Sequence, residues 1–384
     1  MKTAAIIVDP DVRINQQITL GLSEALQEHD DWEISLLPRS TPFPELKRRM
    51  HAIAPDAVAV REPYAQLTHC LESLAVPYVV VAVEGFAAPD ASVVLPDSEA
   101  LGAMAAEYLL AQGFEHIAIV GCERPRTDVR LEVFSSALQG RCKTYNHFDL
   151  VTGESIDHPF GGYENPDELA EWLRQLSKPC AIFAHSDQPG AFVVKTCRHN
   201  GIRVPEEISV LGVDDDPLFC HTVKPNLTSI HLPYRRIGIE AARMILDWTP
   251  GRRLLEIPPT TVIERASVRP PERGDRLVDM AVAHLRTHVS DGVRVRDLQK
   301  LTGLSSHQLI YRFNIVTGRT PMEMILRRRI AVAKQLLAET TEPVADVARQ
   351  SGFNSPTQFY VTFRNRVGLS PSDYRSKLTG VNDS

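Results

Sequence analysis

The chain has 384 residues, 43% hydrophobic and 23% charged, with a formal net charge of −6 and a mean hydropathy of −0.15. That length allows roughly two or three domains, and no window reaches the roughly 18 apolar residues that a membrane helix needs. Asp9, Pro10 and Asp11 stop the opening apolar run too early for a secretory leader.

The six cysteines, Cys70, Cys122, Cys142, Cys180, Cys197 and Cys220, form no CxxC pair and no metal-ligand spacing. Free thiols of a cytoplasmic protein are expected, with no metal and no cofactor. Residues 1–265 alternate short apolar runs with amphipathic stretches. Strands are expected at 4–8, 57–61, 78–83, 116–121, 180–184 and 208–213, and helices at 16–27, 64–74, 100–112, 127–138 and 188–199. This order predicts α/β architecture, parallel sheets with helices on both faces. Ligands of such sheets bind beyond the carboxyl ends of the strands, so polar residues just after strands are the first to weigh. They are Asp9, Arg61, Asp187 and the run Asp214-Asp215-Asp216. Three adjacent aspartates point in different directions without a further ligand cluster, which argues against a metal site.

Longer text surrounds these positions. Asp97, Leu101-Gly102, Gly113-Phe114, Ile117 to Gly121, Arg130 and Phe134 are followed by Asp187, Gly201, Val204-Pro-Glu-Glu-Ile-Ser-Val-Leu-Gly-Val-Asp-Asp215, Pro225, Leu227-Thr228 and Gly238. This pattern, over about 1–265, resembles the effector-binding core of LacI/GalR-type regulators. The resemblance implies a two-lobed, periplasmic-binding-protein-like sensor with parallel sheets, closing on a small molecule. It implies effector contacts from Arg130 and Asp214, with Asp9, Asp97 and Asp187 as further candidates. A guanidinium fork and a carboxylate can each take vicinal hydroxyls bidentately, which suits a sugar. The plain alternative for Asp97 and Asp187 is capping of the helices that follow them. Regulators of this type carry a DNA-binding headpiece first; here strand text begins at Ala4, so DNA reading is expected at the other end.

Residues 266–276 read as a linker: proline-rich, charged and without apolar periodicity. Beyond it the chain repeats itself. Leu309, Phe313, Gly318 and Pro321 recur as Phe359, Phe363, Gly368 and Pro371, 50 positions on. Each set follows a short apolar helix pattern stopped by Gly303 or Gly352, which predicts two helix-turn-helix units. Met322, Ile325, Leu326, Ile330, Ala333 and Leu337 predict a connecting helix of about 18 residues that both units share. Residues 275–378 hold 16 Lys+Arg against 9 Asp+Glu, or 16 − 9 = +7, in an otherwise acidic chain. That is the charge pattern of a nucleic-acid-binding module.

The run Pro343-Val-Ala-Asp-Val-Ala-Arg-Gln-Ser-Gly-Phe353, with Phe359, Phe363, Gly368, Ser370-Pro371 and Tyr374-Arg375, resembles the signature of AraC-type transcriptional regulators. The resemblance covers about 277–377 and implies an all-α double helix-turn-helix domain, here taken as 277–378, with two recognition helices in successive major-groove segments. With the phenylalanines inward, Ser306, His307, Ile310 and Tyr311 face outward on the first helix, and Pro356, Thr357, Tyr360 and Val361 on the second. The family often has arginine where Tyr311 and Val361 stand, so guanine reading there is in question. Arg312, Arg327, Arg328, Arg329, Arg364 and Arg366 are expected on phosphates, and an exposed surface arginine is the plain alternative for each.

The combination resembles bacterial xylose-responsive regulators. It implies a DNA operator, RNA polymerase, a monosaccharide effector such as xylose, activation of transcription and a homodimer. A non-sugar effector is one alternative, and an enzyme with a DNA-binding appendage is the other. Catalysis is not expected: Gly121-Cys122-Glu123 follows a strand, but Arg124 and Pro125 break the nucleophile-elbow pattern.

Overall fold

The computed structural model describes residues 1–10, 12–29, 31–61, 64–74, 76–81, 91–122, 129–151, 163, 165–249, 251–270 and 275–379. The chain divides into two compact units, one of residues 1–101, 125–132 and 232–259, the other of 102–124, 133–231 and everything from 260 onward.

In the first unit the described strands are β1 (Lys2–Ile7), β2 (Trp32–Leu37), β3 (Ala57–Arg61), β4 (Tyr78–Val81), β5 (Ser92–Pro96) and β11 (Leu254–Ile257). They form one parallel sheet in the order β11-β5-β4-β3-β1-β2. In the second unit β6 (His116–Cys122), β7 (Thr144–Leu150), β8 (Cys180–Ala184), β9 (Ile208–Asp214), β10 (Thr228–His231) and β12 (Thr261–Ile263) form the order β12-β10-β9-β8-β6-β7. Only β12, among these described strands, runs antiparallel. The central strands of both sheets are buried along most of their length and read as continuous apolar text. The edge strands β2 and β7 are partly exposed and carry no such run, which is why apolar runs do not reveal them.

Helices α1 (Arg13–Gln27), α2 (Phe43–Ile53) and α3 (Ala65–Leu74) serve the first sheet; α4 (Ser98–Gln112) and α5 (Val129–Leu138) carry the chain from one unit to the other. The second sheet is served by α6 (Pro166–Gln175), α7 (Asp187–His199) and α8 (Pro217–Thr222). Helix α9 (Tyr234–Leu246) returns to the first unit and packs on α1. A Cβ at Gly238 would run into the backbone of Ile18, and one at Gly21 into the backbone of Arg235, so the helices touch where both lack side chains. Arg235 adds an ion pair with Glu24 at 2.6 Å.

The C-terminal region is helical: α10 (Arg276–His288), α11 (Val295–Thr302), α12 (Ser306–Thr317), α13 (Pro321–Glu339), α14 (Val344–Gln350), α15 (Pro356–Val367) and α16 (Pro371–Thr379). The internal repeat is carried into backbone detail. Ser305 and Ser355 cap α12 and α15, accepting from the amides of Gln308 and Gln358, and Gly318 and Gly368 end them in left-handed conformation. Each unit has its own core: Leu309 and Phe313 pack with Leu298 and Ile325, while Phe359 and Phe363 pack with Val347, Ile330 and Leu337. Helix α13 feeds both cores. Met322, expected inward on it, is exposed.

The stretch expected as a linker begins inside the second unit. Ser267 and Val268 are buried, the Ser267 carbonyl accepts from the Val210 amide, and its hydroxyl donates to the Val210 carbonyl. Residues 266–269 therefore lie along β9, and proline-rich text does not betray that pairing. Residues 271–274 fall outside the described residues.

Candidate functional site

The carboxyl ends of the second sheet hold an interlocked polar cluster. Strand β9 ends at Asp214 with φ +103°, and Asp215 follows at φ +56°. Two successive non-glycine residues in the left-handed region are strained, a feature that concentrates at functional sites. The strain is held by named contacts. The Asp215 amide donates to the Ser229 hydroxyl at 3.0 Å, and the Asp215 carboxylate is ion-paired with Arg265 and lies 3.4 Å from His231 Nδ1. Burial pushes the Asp215 carboxyl up, but the His231 hydrogen bond and the Arg265 charge outweigh it and hold the group below the usual carboxylate range.

Behind this turn stands Asp187, the first residue of α7 and only 1% exposed. Its carboxylate accepts from the Asp216 amide at 2.7 Å and from the Cys220 thiol at 3.3 Å. A Cβ at Gly212 would collide with that carboxylate, so the glycine is what lets the carboxylate pass behind β9. Burial, reinforced by the Asp214 charge, raises the Asp187 carboxyl well above its ordinary value. The same burial, with Asp187 beside it, raises the Cys220 thiol. Asp187 thus supports the Asp214 turn from behind. Asp214 itself is half-buried.

The other strand ends contribute groups that sequence reading did not count among the effector candidates. The Cys122 thiol at the end of β6 approaches His185 Nδ1, just past β8, at 3.8 Å and the Tyr163 hydroxyl at 4.0 Å. The Tyr163 ring packs on Phe192 with centroids 4.7 Å apart. For Cys122 and His185 the signal available in sequence was position alone, at or just past a strand end; Tyr163, between β7 and α6, offered none. Glu123, Arg124 and Pro125, on which the elbow comparison turned, lie outside the described residues.

In the first unit, Asp9 follows β1, accepting from the Ser40 amide at 2.7 Å with Arg39 at 3.9 Å. Asp97 follows β5 and accepts from the Ala100 amide at 2.8 Å, the geometry of a cap on α4. Arg130 lies half-buried in the first turn of α5.

A surface depression of about 540 Å³, lined by Lys195, Arg198, His199 and Lys224 among others, lies where α7 ends. Asp187 starts that helix and His199 closes it, so the depression is at the far end of α7 from Asp214, roughly 18 Å of helix away. Cations there complement a helix C-terminus.

The second candidate surface is the outer face of the helical repeat. Ser306, His307 and Tyr311 on α12 and Pro356, Thr357, Tyr360, Val361 and Arg364 on α15 are exposed. Arg312 is half-exposed and donates to Asp275 at 3.1 Å. Arg328 departs from its expected place on a phosphate. It pairs with Glu264 at 2.8 Å and donates to the Glu264 and Arg286 carbonyls, because the face of α13 that carries it lies against the end of β12. Arg329 is buried, donating to the Val293 carbonyl at 2.9 Å with its guanidinium over the Phe353 ring. Nothing in the run of three arginines reveals which ones turn inward.

Comparison with known proteins agrees with both halves. A periplasmic binding protein-like domain matches residues 106–268 and a helix-turn-helix domain matches 298–377. The xylose operon regulatory protein of Escherichia coli is 29% identical over 214 residues, and that of Haemophilus influenzae 25% over 288. The match covers 54% of each chain in the first case and 73% in the second, so the chain spans about half the length of the first relative. Among solved structures, a xylose-binding transcription activator aligns over 98% of both chains with a TM-score of 0.58 and 24% identity. A ribose-bound LacI family regulator from Enterococcus faecium covers 71% of this chain and 100% of its own, with a TM-score of 0.52 and 23% identity. These two likenesses establish the fold.

Proposed function

We propose that this chain, which joins a periplasmic-binding-protein-like sensor to an AraC-type helix-turn-helix domain, is a sugar-responsive regulator that binds an operator through α12 and α15. The effector is a monosaccharide, with xylose the first candidate, and Arg130 and Asp214 hold its hydroxyls, aided by Asp9 and Asp97. Output is activation through RNA polymerase, from a cytoplasmic homodimer. The chain is not an enzyme.

One observation carries this reading. The same chain holds a duplicated helix-turn-helix whose helices repeat at 50 residues and a lobe whose strand ends converge on a strained aspartate pair. The named relatives, xylose operon regulatory proteins, favour a pentose. Repression is the second reading, favoured by 28% identity over 186 residues to the transcriptional repressor PurR of Aliivibrio fischeri.

The test is selection of duplexes from a random pool by the full chain, then titration of the selected duplex with and without D-xylose, ribose, other monosaccharides and nucleobases. A pentose-dependent change in affinity supports the proposal. Enrichment of no duplex, or a response only to a non-sugar, would sink it.

A further inference from the structure

We infer that both recognition helices read their operator segments through thymine C5-methyl groups and not through guanine. This rests on the regulator reading above and gives its DNA site a chemistry.

The two helices present matched residues at matched exposure. Ile310 and its counterpart Tyr360 are 40% and 41% exposed, and Tyr311 and Val361 are 61% and 53%. Each pair is adjacent in the first half of its helix, the part that meets base edges in a helix-turn-helix. Guanine is read in the major groove by a bidentate Arg or Lys fork, whereas the thymine methyl is read by apolar contact. From Pro356 to Phe363 there is no Lys or Arg at all. From Ser306 to Phe313 the one Lys or Arg is Arg312, and it is held by Asp275.

The amide side chain that could read adenine is also occupied on the first helix. Gln308 turns back to accept from the Ser305 amide at 3.1 Å. The bases of the second helix come later, at Arg364 and Arg366, in its last turn. There they suit phosphates, which position a helix without specifying sequence.

An apolar face can also dock against protein. Here, however, the pair recurs at one register in two repeats, with side chains that differ in identity and agree in exposure. A protein-binding patch has no reason to be duplicated in that way. Two successive groove segments do.

The experiment uses the full chain and its strongest duplex from the random pool, remade with deoxyuridine for thymine in one protected segment at a time. Uridine removes only the methyl. Loss of one contacted methyl is expected to weaken binding about fourfold, the size of one buried apolar carbon. Ile310→Ala should abolish uridine sensitivity in one segment and Val361→Ala in the other, while 7-deazaguanine substitution has no effect. Both residues are surface-exposed, so unchanged thermal midpoints verify the fold.

The inference is overturned if uridine is neutral, if sensitivity survives in both variants, or if 7-deazaguanine is the change that weakens binding. It is also overturned if Ile310→Ala alters the association state and leaves DNA affinity intact, which would make the face a contact between copies. Enrichment of no duplex would overturn the regulator reading with it; an enriched duplex indifferent to uridine overturns this inference alone.

Discussion

Arg328 and Glu264 form an ion pair at 2.8 Å, with side chains only 14% and 20% exposed, between the middle of α13 and the residue after β12. Burial pushes the Glu264 carboxyl up, but Arg328, with Arg286 and Arg327 nearby, outweighs it and holds the group below its ordinary value. The helix shared by the two helix-turn-helix units is thereby fastened to the strand that leaves the second sheet. Arg265, the next residue, holds Asp215 beside the Asp214 turn.

Removing one partner of a mostly buried pair leaves the other uncompensated, at a cost of about 3 kcal/mol. Arg328→Met and Glu264→Gln should each destabilise by about that much in urea unfolding of the full chain. The double variant should recover at least about 1 kcal/mol of the summed losses, as coupled neighbours do. Strict additivity would mean that the pair contributes nothing.

Asp187 sets an opposite dependence on pH. Its carboxyl is raised in the folded state. The unfolded chain therefore ionises it first, and its contribution falls as pH rises from the ordinary carboxylate range toward the raised folded value. Glu264, held low, contributes stability above the ordinary range that is lost on acidification. Asp187→Asn should flatten the loss on the alkaline side while Glu264→Gln flattens the loss on the acid side. Thermal midpoints from pH 3 to 9 check both; identical profiles in Asp187→Asn and the parent would refute the first.

Gly212 and Gly238 should resist substitution for steric reasons alone. Gly212→Ala places a methyl in the Asp187 carboxylate, and Gly238→Ala places one in the Ile18 backbone. Overpacking of this kind costs about 1–3 kcal/mol. Gly251, open to space, is the control for crowding, although its φ of +118° brings strain of its own.

The sensor proposal predicts a separation of effects. Asp214→Asn should keep the fold, since asparagine tolerates positive φ. It should abolish the stabilisation by a bound monosaccharide, about 2.7 kcal/mol at a hundredfold excess over Kd. Arg130→Ala should do the same. A parent-sized thermal shift in either variant would remove that residue from the effector site.

The DNA proposal predicts phasing. With two recognition helices on one rigid α13, the protected segments should lie roughly 34 Å apart, and inserting five base pairs between them should abolish binding by turning one to the opposite face. Affinity should fall steeply with salt. Retained affinity after insertion would mean that one unit reads alone.

The sequence by itself determined whatever depends on local periodicity. The buried strands β1, β3, β4, β6, β8 and β9, the 50-residue repeat, the inward phenylalanines and the outward faces of α12 and α15 follow from apolar spacing and glycine stops, and the structure agrees with them; the buried strands β5 and β10 were not marked by that spacing. Tertiary structure decided the rest, because it depends on groups far apart in the chain. Edge strands β2 and β7 exist by pairing with β1 and β6, not by their own pattern. Asp187 meets Asp216 across 29 residues, and Arg328 meets Glu264 across 64. An arginine bound for a phosphate and one bound for a buried carboxylate read alike in sequence. Which one it becomes is settled by the desolvated partner that the fold brings to it.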